Sequence, residues 1–170
     1  MKMERLLSPL IGAALVLAAT TGSAQQPPAA APPPPPPYGM AISLELAKKV
    51  MAGAEAEAKK NSWNVCIVVL DSGGNIVMVE RMDGAQFGSI EVAREKAYSA
   101  VAFRRPTKAF DDALAQGGNN LRILRLPGAS PLEGGIPIVV DGKLIGSVGV
   151  SGVTSAQDAQ IGRAGIDSLK

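Results

Sequence analysis

The stretch EGGIPIVVDGKLIGSVGVSG, Glu133–Gly152, decides how the rest of the chain folds. Two apolar runs flank Asp141-Gly142, a dipeptide that accepts the two positive φ angles of a type I′ turn, so the stretch reads as a β-hairpin. Alternation along its second arm puts Leu144, Val148 and Val150 on one face, interrupted by Gly146, and Ile145, Ser147, Gly149 and Ser151 on the other. The second face is nearly bare. A strand face without side chains lets something approach the backbone closely, either a helix lined with alanine or a flat ligand. Spacing favours the helix, and Ser89–Phe103, with Ile90, Ala93, Ala97, Ala100 and Val101 along one side, is the segment that fits.

Outward from this hairpin the remaining elements follow. Ser43 caps a helix that carries Leu46, Ala47, Val50, Ala54 and Ala58 at helical spacing and ends near Asn61. Trp63–Asp71 and Ile76–Met82 form a first hairpin around Ser72-Gly73-Gly74-Asn75. Pro106 prevents simple continuation of the Ser89–Phe103 helix, and Thr107 caps a shorter one that stops at Gly117-Gly118. Asn119–Glu133 reads as irregular, and after Gly152 a last helix begins with Ser155 and Asp158 at capping-box spacing. Strands joined by short turns pair antiparallel, and helices that arrive in blocks make an α+β arrangement rather than a doubly wound parallel sheet.

The ends of the chain carry different signals. Lys2 and Arg5, an apolar run of 14 residues from Leu6 to Ala19, and the small residues Gly22-Ser23-Ala24 match a secretory signal peptide, residues 1–24. The run is short of the ~20 residues a membrane-spanning helix needs. The expectation is export to the periplasm or outside, with no membrane association after cleavage. Residues 25–39 include six consecutive prolines, Pro32–Pro37, and read as a semi-rigid polyproline II tether rather than part of the fold. The globular domain is then 40–170.

Several chemistries are excluded. The formal charge is +2, falling to +1 once Lys2, Glu4 and Arg5 leave with the leader, which does not suggest nucleic acid. Arg104, Arg105 and Lys108 cluster, but without a longer basic stripe they read as a solvated helix junction. The lone Cys66 lies in the apolar run Val65–Val69 and reads as a core residue. The chain has no His, which removes Ser-His-Asp and Cys-His nucleophile systems and His-ligated haem. Gly146, Gly149 and Gly152 match neither dinucleotide nor P-loop spacing, so there is no nucleotide motif.

Ile42-Ser43-Leu44, Val69–Gly74 followed by Arg81–Ala85, Ser89–Ala97, Arg105-Pro106-Thr107, Glu133–Pro137, Gly146–Gly152 and Asp158 stand in an order that resembles the GlcG/HbpS family, often labelled haem-binding or haem-degrading. The resemblance runs through nearly all of 40–170. It implies a profilin-like fold, a central antiparallel sheet with helices on both faces, assembling into homo-oligomers. It also implies haem binding, with slow oxidative degradation in some relatives, while related domains accompany corrinoid enzymes. Many relatives read Gly-Gly-His where this chain has Gly73-Gly74-Asn75, and Asn is a poor iron ligand. Met78, Met82, Tyr98, Cys66 and Thr107 remain, none supported by spacing, so no metal ligand is assigned.

The segments Arg81–Gly84 and Glu133–Pro137 both fall at strand ends, where loops place polar groups and glycines admit close approach, and they are expected to line one pocket. Arg81 suits a carboxylate or haem propionate through its fork of donors. Glu133, able to accept a proton or hydroxyl, is a candidate catalytic base. Glu91, Lys96, Thr107, Gly134 and Gly135 complete the candidate ligand-binding set. Three functions stay open: an exported binder of haem or a related tetrapyrrole; an enzyme acting on a hydroxy acid or aromatic carboxylate, with Glu133 as base and Arg81 as anchor; and a non-catalytic oligomeric interaction module. Gly135→Val is expected to block ligand and Gly149→Val to cost stability.

Overall fold

A computed structural model describes residues 33–170; the proposed leader, 1–24, and the start of the proline-rich stretch, 25–32, lie outside the described residues. The elements are α1 (Leu44–Lys60), β1 (Cys66–Asp71), β2 (Ile76–Arg81), α2 (Ser89–Ala102), α3 (Lys108–Ala115), a 3₁₀ segment (Gly118–Arg125), β3 (Gly135–Val140), β4 (Lys143–Ser151) and α4 (Ser155–Asp167). The strands form one antiparallel sheet in the order β2-β1-β4-β3. On one face α1 and α4 bury Val50, Ala54 and Ile161 against Ile67, Val69, Val148 and Val150. On the other, Ala93, Ala97 and Val101 of α2 pack on Cys66, Val68, Leu70 and Leu144. The architecture is α+β with helices on both faces.

The bare face of β4 is covered by α2. A Cβ at Gly149 would lie 2.0 Å from the Ala93 carbonyl oxygen and 2.6 Å from the Ala97 amide nitrogen. The small hydroxyls beside it are satisfied by the helix: Ser147 Oγ donates to the Ala97 carbonyl at 2.7 Å, and Ser151 Oγ lies 3.3 Å from Ser89 Oγ. Simple alternation fails at the start of the strand. Ile138 pairs with Gly146 but Val139 pairs with Leu144, so Ile145 has no partner on β3. This bulge turns Leu144 into the α2-side core and Ile145 towards α1 and α4, the reverse of the faces read from spacing. At the hairpin tip Asp141 (φ 49°) and Gly142 (φ 73°) both take positive φ, as a type I′ turn requires.

Four local readings are revised. The end of the proline-rich stretch is paired to the sheet: Leu144 N donates to Pro37 O at 2.9 Å, Gly39 N to Leu144 O at 2.7 Å, and Ile42 N to Ile145 O at 2.8 Å. β1 pairs with β4 only from Gly146 onward, which leaves this edge of Leu144 and Ile145 open to the incoming chain. Tyr38 anchors the strap, its phenol 3.0 Å from the carbonyls of Val101 and Ala102 and its ring under Arg104. Thr107 does not cap α3 through its side chain, because its hydroxyl is engaged elsewhere. The capping box of α4 is Thr154 with Gln157, one residue earlier than read, and Asp158 is left free for another partner. Within 119–133, read as irregular, the chain forms the 3₁₀ segment, which buries none of its residues and leaves Leu121 and Leu124 exposed.

Candidate functional site

The start of α3, the loop before β3 and the middle of α4 enclose a cavity of about 380 Å³, lined by Pro106, Lys108, Ala109, Asp112, Glu133, Gly134, Gly135, Ile136, Ala159 and Arg163. That size lies within the ~300–1,000 Å³ range of small-molecule sites. Three of its charged side chains, Lys108, Asp112 and Arg163, are exposed, and Glu133 is largely buried. Arg163 Nη1 stands 3.7 Å from Glu133 Oε1, and Lys108 Nζ lies 2.7 Å from Asp112 Oδ1. The hydrogen bond to Asp112 raises the Lys108 ammonium above its ordinary value. The floor is apolar, from Pro106, Ala109, Ile136 and Ala159. Each cation thus faces a carboxylate of the same cavity, which leaves the lining charge-balanced over its apolar floor.

Thr107 stands behind one wall. Its Oγ1 accepts from Gly135 N at 2.9 Å and its own amide donates to Gly135 O at 2.9 Å, clamping the start of β3 against α3. Gly135 does not face the cavity with open space: a Cβ there would stand 2.1 Å from the Lys96 carbonyl oxygen, so its glycine serves contact with α2 rather than ligand entry. Lys96 is buried, its Nζ 2.8 Å from Asp158 Oδ2 and donating to Val150 O at 3.0 Å. Burial pushes the Asp158 carboxyl up, opposed by the Lys96 ammonium and by the Val153 and Gly152 amides.

Of the candidate residues, Glu133, Gly134 and Gly135 share the cavity, with Thr107 and Lys96 directly behind it. Arg81 and Glu91 do not join them. Arg81 lies over the Phe87 ring, 4.9 Å from its centroid, and lines a separate polar depression with Glu55, Lys59, Asn64, Glu80, Met82 and Asp83. Glu91 pairs with Arg94 at 2.9 Å on the exposed side of α2. The single-pocket expectation for Arg81–Gly84 and Glu133–Pro137 therefore does not hold within one chain; the two segments end at opposite edges of the sheet. Lys108, Asp112 and Arg163 were missed. Lys108 was read as part of a solvated junction, and Arg163 meets the cavity only through the packing of α4, which no local spacing reveals.

The cavity's fit to haem is partial. No His, Met or Cys is among its lining residues. Met78 and Met82 pack against the α1-side core, Cys66 is fully buried, and Asn75 is held in the hairpin turn by Asp71. Tyr98 projects between Gly74 and Gly128, away from the cavity. The residues present suit the ring and carboxylates of a tetrapyrrole and offer its iron only carboxylates and an amine. Among the described residues no helix is long and apolar enough to cross a membrane.

Comparison with known proteins agrees with this architecture. The family model described as "Haem degrading protein HbpS-like" matches residues 42–167. Protein GlcG of Escherichia coli K12 is 41% identical over 110 residues, covering 65% of this chain and 81% of GlcG. The crystal structure of a double mutant of Streptomyces reticuli HbpS superposes with a TM-score of 0.71 at 31% identity, covering 94% of this chain and 99% of that one. A PduOC:Heme complex superposes with a TM-score of 0.69 at 27% identity, covering 76% of this chain and 95% of that one. On the family match across both faces of the sheet and the identity to GlcG, this chain belongs to the GlcG/HbpS-like family.

Proposed function

We propose that this protein is an exported binder of haem or a closely related tetrapyrrole, held in the cavity between α3, β3 and α4. The observation that carries the reading is an apolar floor beside two exposed cations, Lys108 and Arg163, whose present partners Asp112 and Glu133 a ligand carboxylate would displace. The ring would lie against Pro106, Ala109, Ile136 and Ala159, and the propionates would be met by the two cations. The family description and the likeness to a PduOC:Heme complex support the ligand class. Because the lining offers iron no imidazole or thioether, the ring and carboxylates carry the affinity and the spectrum of bound haem differs from bis-His ligation. Iron-free protoporphyrin IX tests this: in a thermal-shift assay it raises the melting temperature as hemin does. Stabilisation by hemin alone, or by neither, would contradict the reading.

The enzyme reading loses its geometry, since Glu133 and Arg81 line different depressions of the chain. Export rests on the leader-like residues 1–24. A secreted chain beginning at Gln25 is the expected product, checked by N-terminal mass measurement, and an intact Met1 in the periplasmic fraction contradicts it. Homo-oligomer formation is part of the same proposal, supported by Leu121, Leu124, Leu126 and Leu132, which are exposed together with Arg122 and Arg125 on the 3₁₀ segment and the loop after it.

A further inference from the structure

We infer that Lys96 and Asp158 are positioning residues for the cavity, a buried pair that fixes its wall at Gly134 without touching the ligand. This rests on the proposed binding role of the cavity. Val150 donates its amide to Gly134 O at 3.1 Å, and its carbonyl points to the same side of β4, past the first residue of β3. No strand partner reaches that carbonyl, and the Lys96 ammonium takes the place at 3.0 Å. Asp158 Oδ2 accepts from the same ammonium at 2.8 Å while its Oδ1 accepts from Val153 N at 3.2 Å. One ammonium thus ties α2, β4 and α4 together at the end of the β3–β4 ladder.

The wall over it is one glycine thick. A Cβ on Gly134 would stand 2.9 Å from Lys96 Nζ and 3.0 Å from Asp158 Cβ, and its φ of 129° is one that side-chain-bearing residues rarely adopt. The pair's two side chains are 2% and 3% exposed, so neither reaches a ligand in the cavity. Stability alone is a poor reason for it, because apolar replacements of a buried ion pair are often neutral or stabilising. What such a replacement cannot supply is the donor to Val150 and hence the fixed edge of Gly134.

The test uses the full chain carrying Lys96→Met with Asp158→Asn, which removes both charges and keeps an acceptor for Val153. The expected result is a melting temperature near that of wild type, amides of Val150 and Gly135 that exchange about tenfold faster relative to those of β1, and about tenfold weaker hemin affinity. A double variant with wild-type exchange at Val150 and Gly135 and wild-type hemin affinity would overturn the inference. Should the double variant not fold, Lys96→Met alone, which removes the donor to Val150, is measured for the same amide ordering, with the same two outcomes. If wild type takes up no hemin, the binding reading falls while the amide exchange still decides the positioning role.

Discussion

A side chain at Gly149 or Gly135 has nowhere to go, because the atoms it would strike belong to the backbone of α2: Ala93 O at 2.0 Å in one case and Lys96 O at 2.1 Å in the other. Overpacking a tight interior costs about 1–3 kcal/mol, and rigid backbone puts both sites at the upper end. Gly149→Val and Gly135→Val are therefore both expected to lower the denaturation midpoint, and a Gly135→Val protein as stable as wild type would contradict the packing described. Gly149 was legible from its bare strand face, whereas Gly135 was read as a ligand rim because nothing in its neighbours announces α2 behind it. Asp71 offers a pH test. Desolvation, the largest influence, raises its carboxyl, but the hydrogen bonds from Asn75, Gly73 and Gly74 together hold it below its ordinary 3.8. A carboxylate depressed on folding stabilises above its unfolded value and loses that contribution as pH falls through the folded one. The stability gap between wild type and Asp71→Ala should be constant near neutrality and close below about pH 4; a gap that widens on acidification would contradict the turn geometry.

The elements themselves were largely readable, since helical and alternating periods dominate 43–103 and 135–167, and the failures are places where one residue's chemistry is shared between elements. Ser155 and Asp158 have capping spacing, yet Thr154 and Gln157 make the box and Asp158 goes to Lys96. Thr154→Ala should then cost about 1 kcal/mol, the usual worth of an N-cap, and Ser155→Ala close to nothing; equal losses in chemical denaturation would contradict this assignment. Proline composition likewise suggested a tether throughout 25–39, but a backbone carbonyl needs no N–H to accept, and Pro37 O takes the Leu144 amide. The strap is held further by the Tyr38 phenol on the last turn of α2. Tyr38→Phe should lower stability by about 0.5–1.5 kcal/mol, the net worth of one hydrogen bond, and an unchanged midpoint would show the strap to be dispensable.

At the scale of the whole molecule, the antiparallel sheet with helices on both faces follows from patterns along the chain, while the cavity does not. Its cations come from Lys108 at the start of α3 and Arg163 in the middle of α4, 55 positions apart in sequence and joined only by how α4 packs on the sheet. The exposed leucines of the 3₁₀ segment have the same character, being polar-loop residues by period and an apolar surface by position. Light scattering of residues 25–170 should give a mass above that of one protomer, and a monomer at micromolar concentration would contradict the assembly reading. The most direct measurement is a hemin titration of the full chain, followed by Soret absorbance and repeated with Arg163→Gln. A saturable change in wild type and about tenfold weaker binding in the variant, with the melting temperature unchanged because Arg163 is exposed, is the result expected for a tetrapyrrole held at this cavity. No saturable change in wild type, or identical titrations for the two proteins, would contradict it.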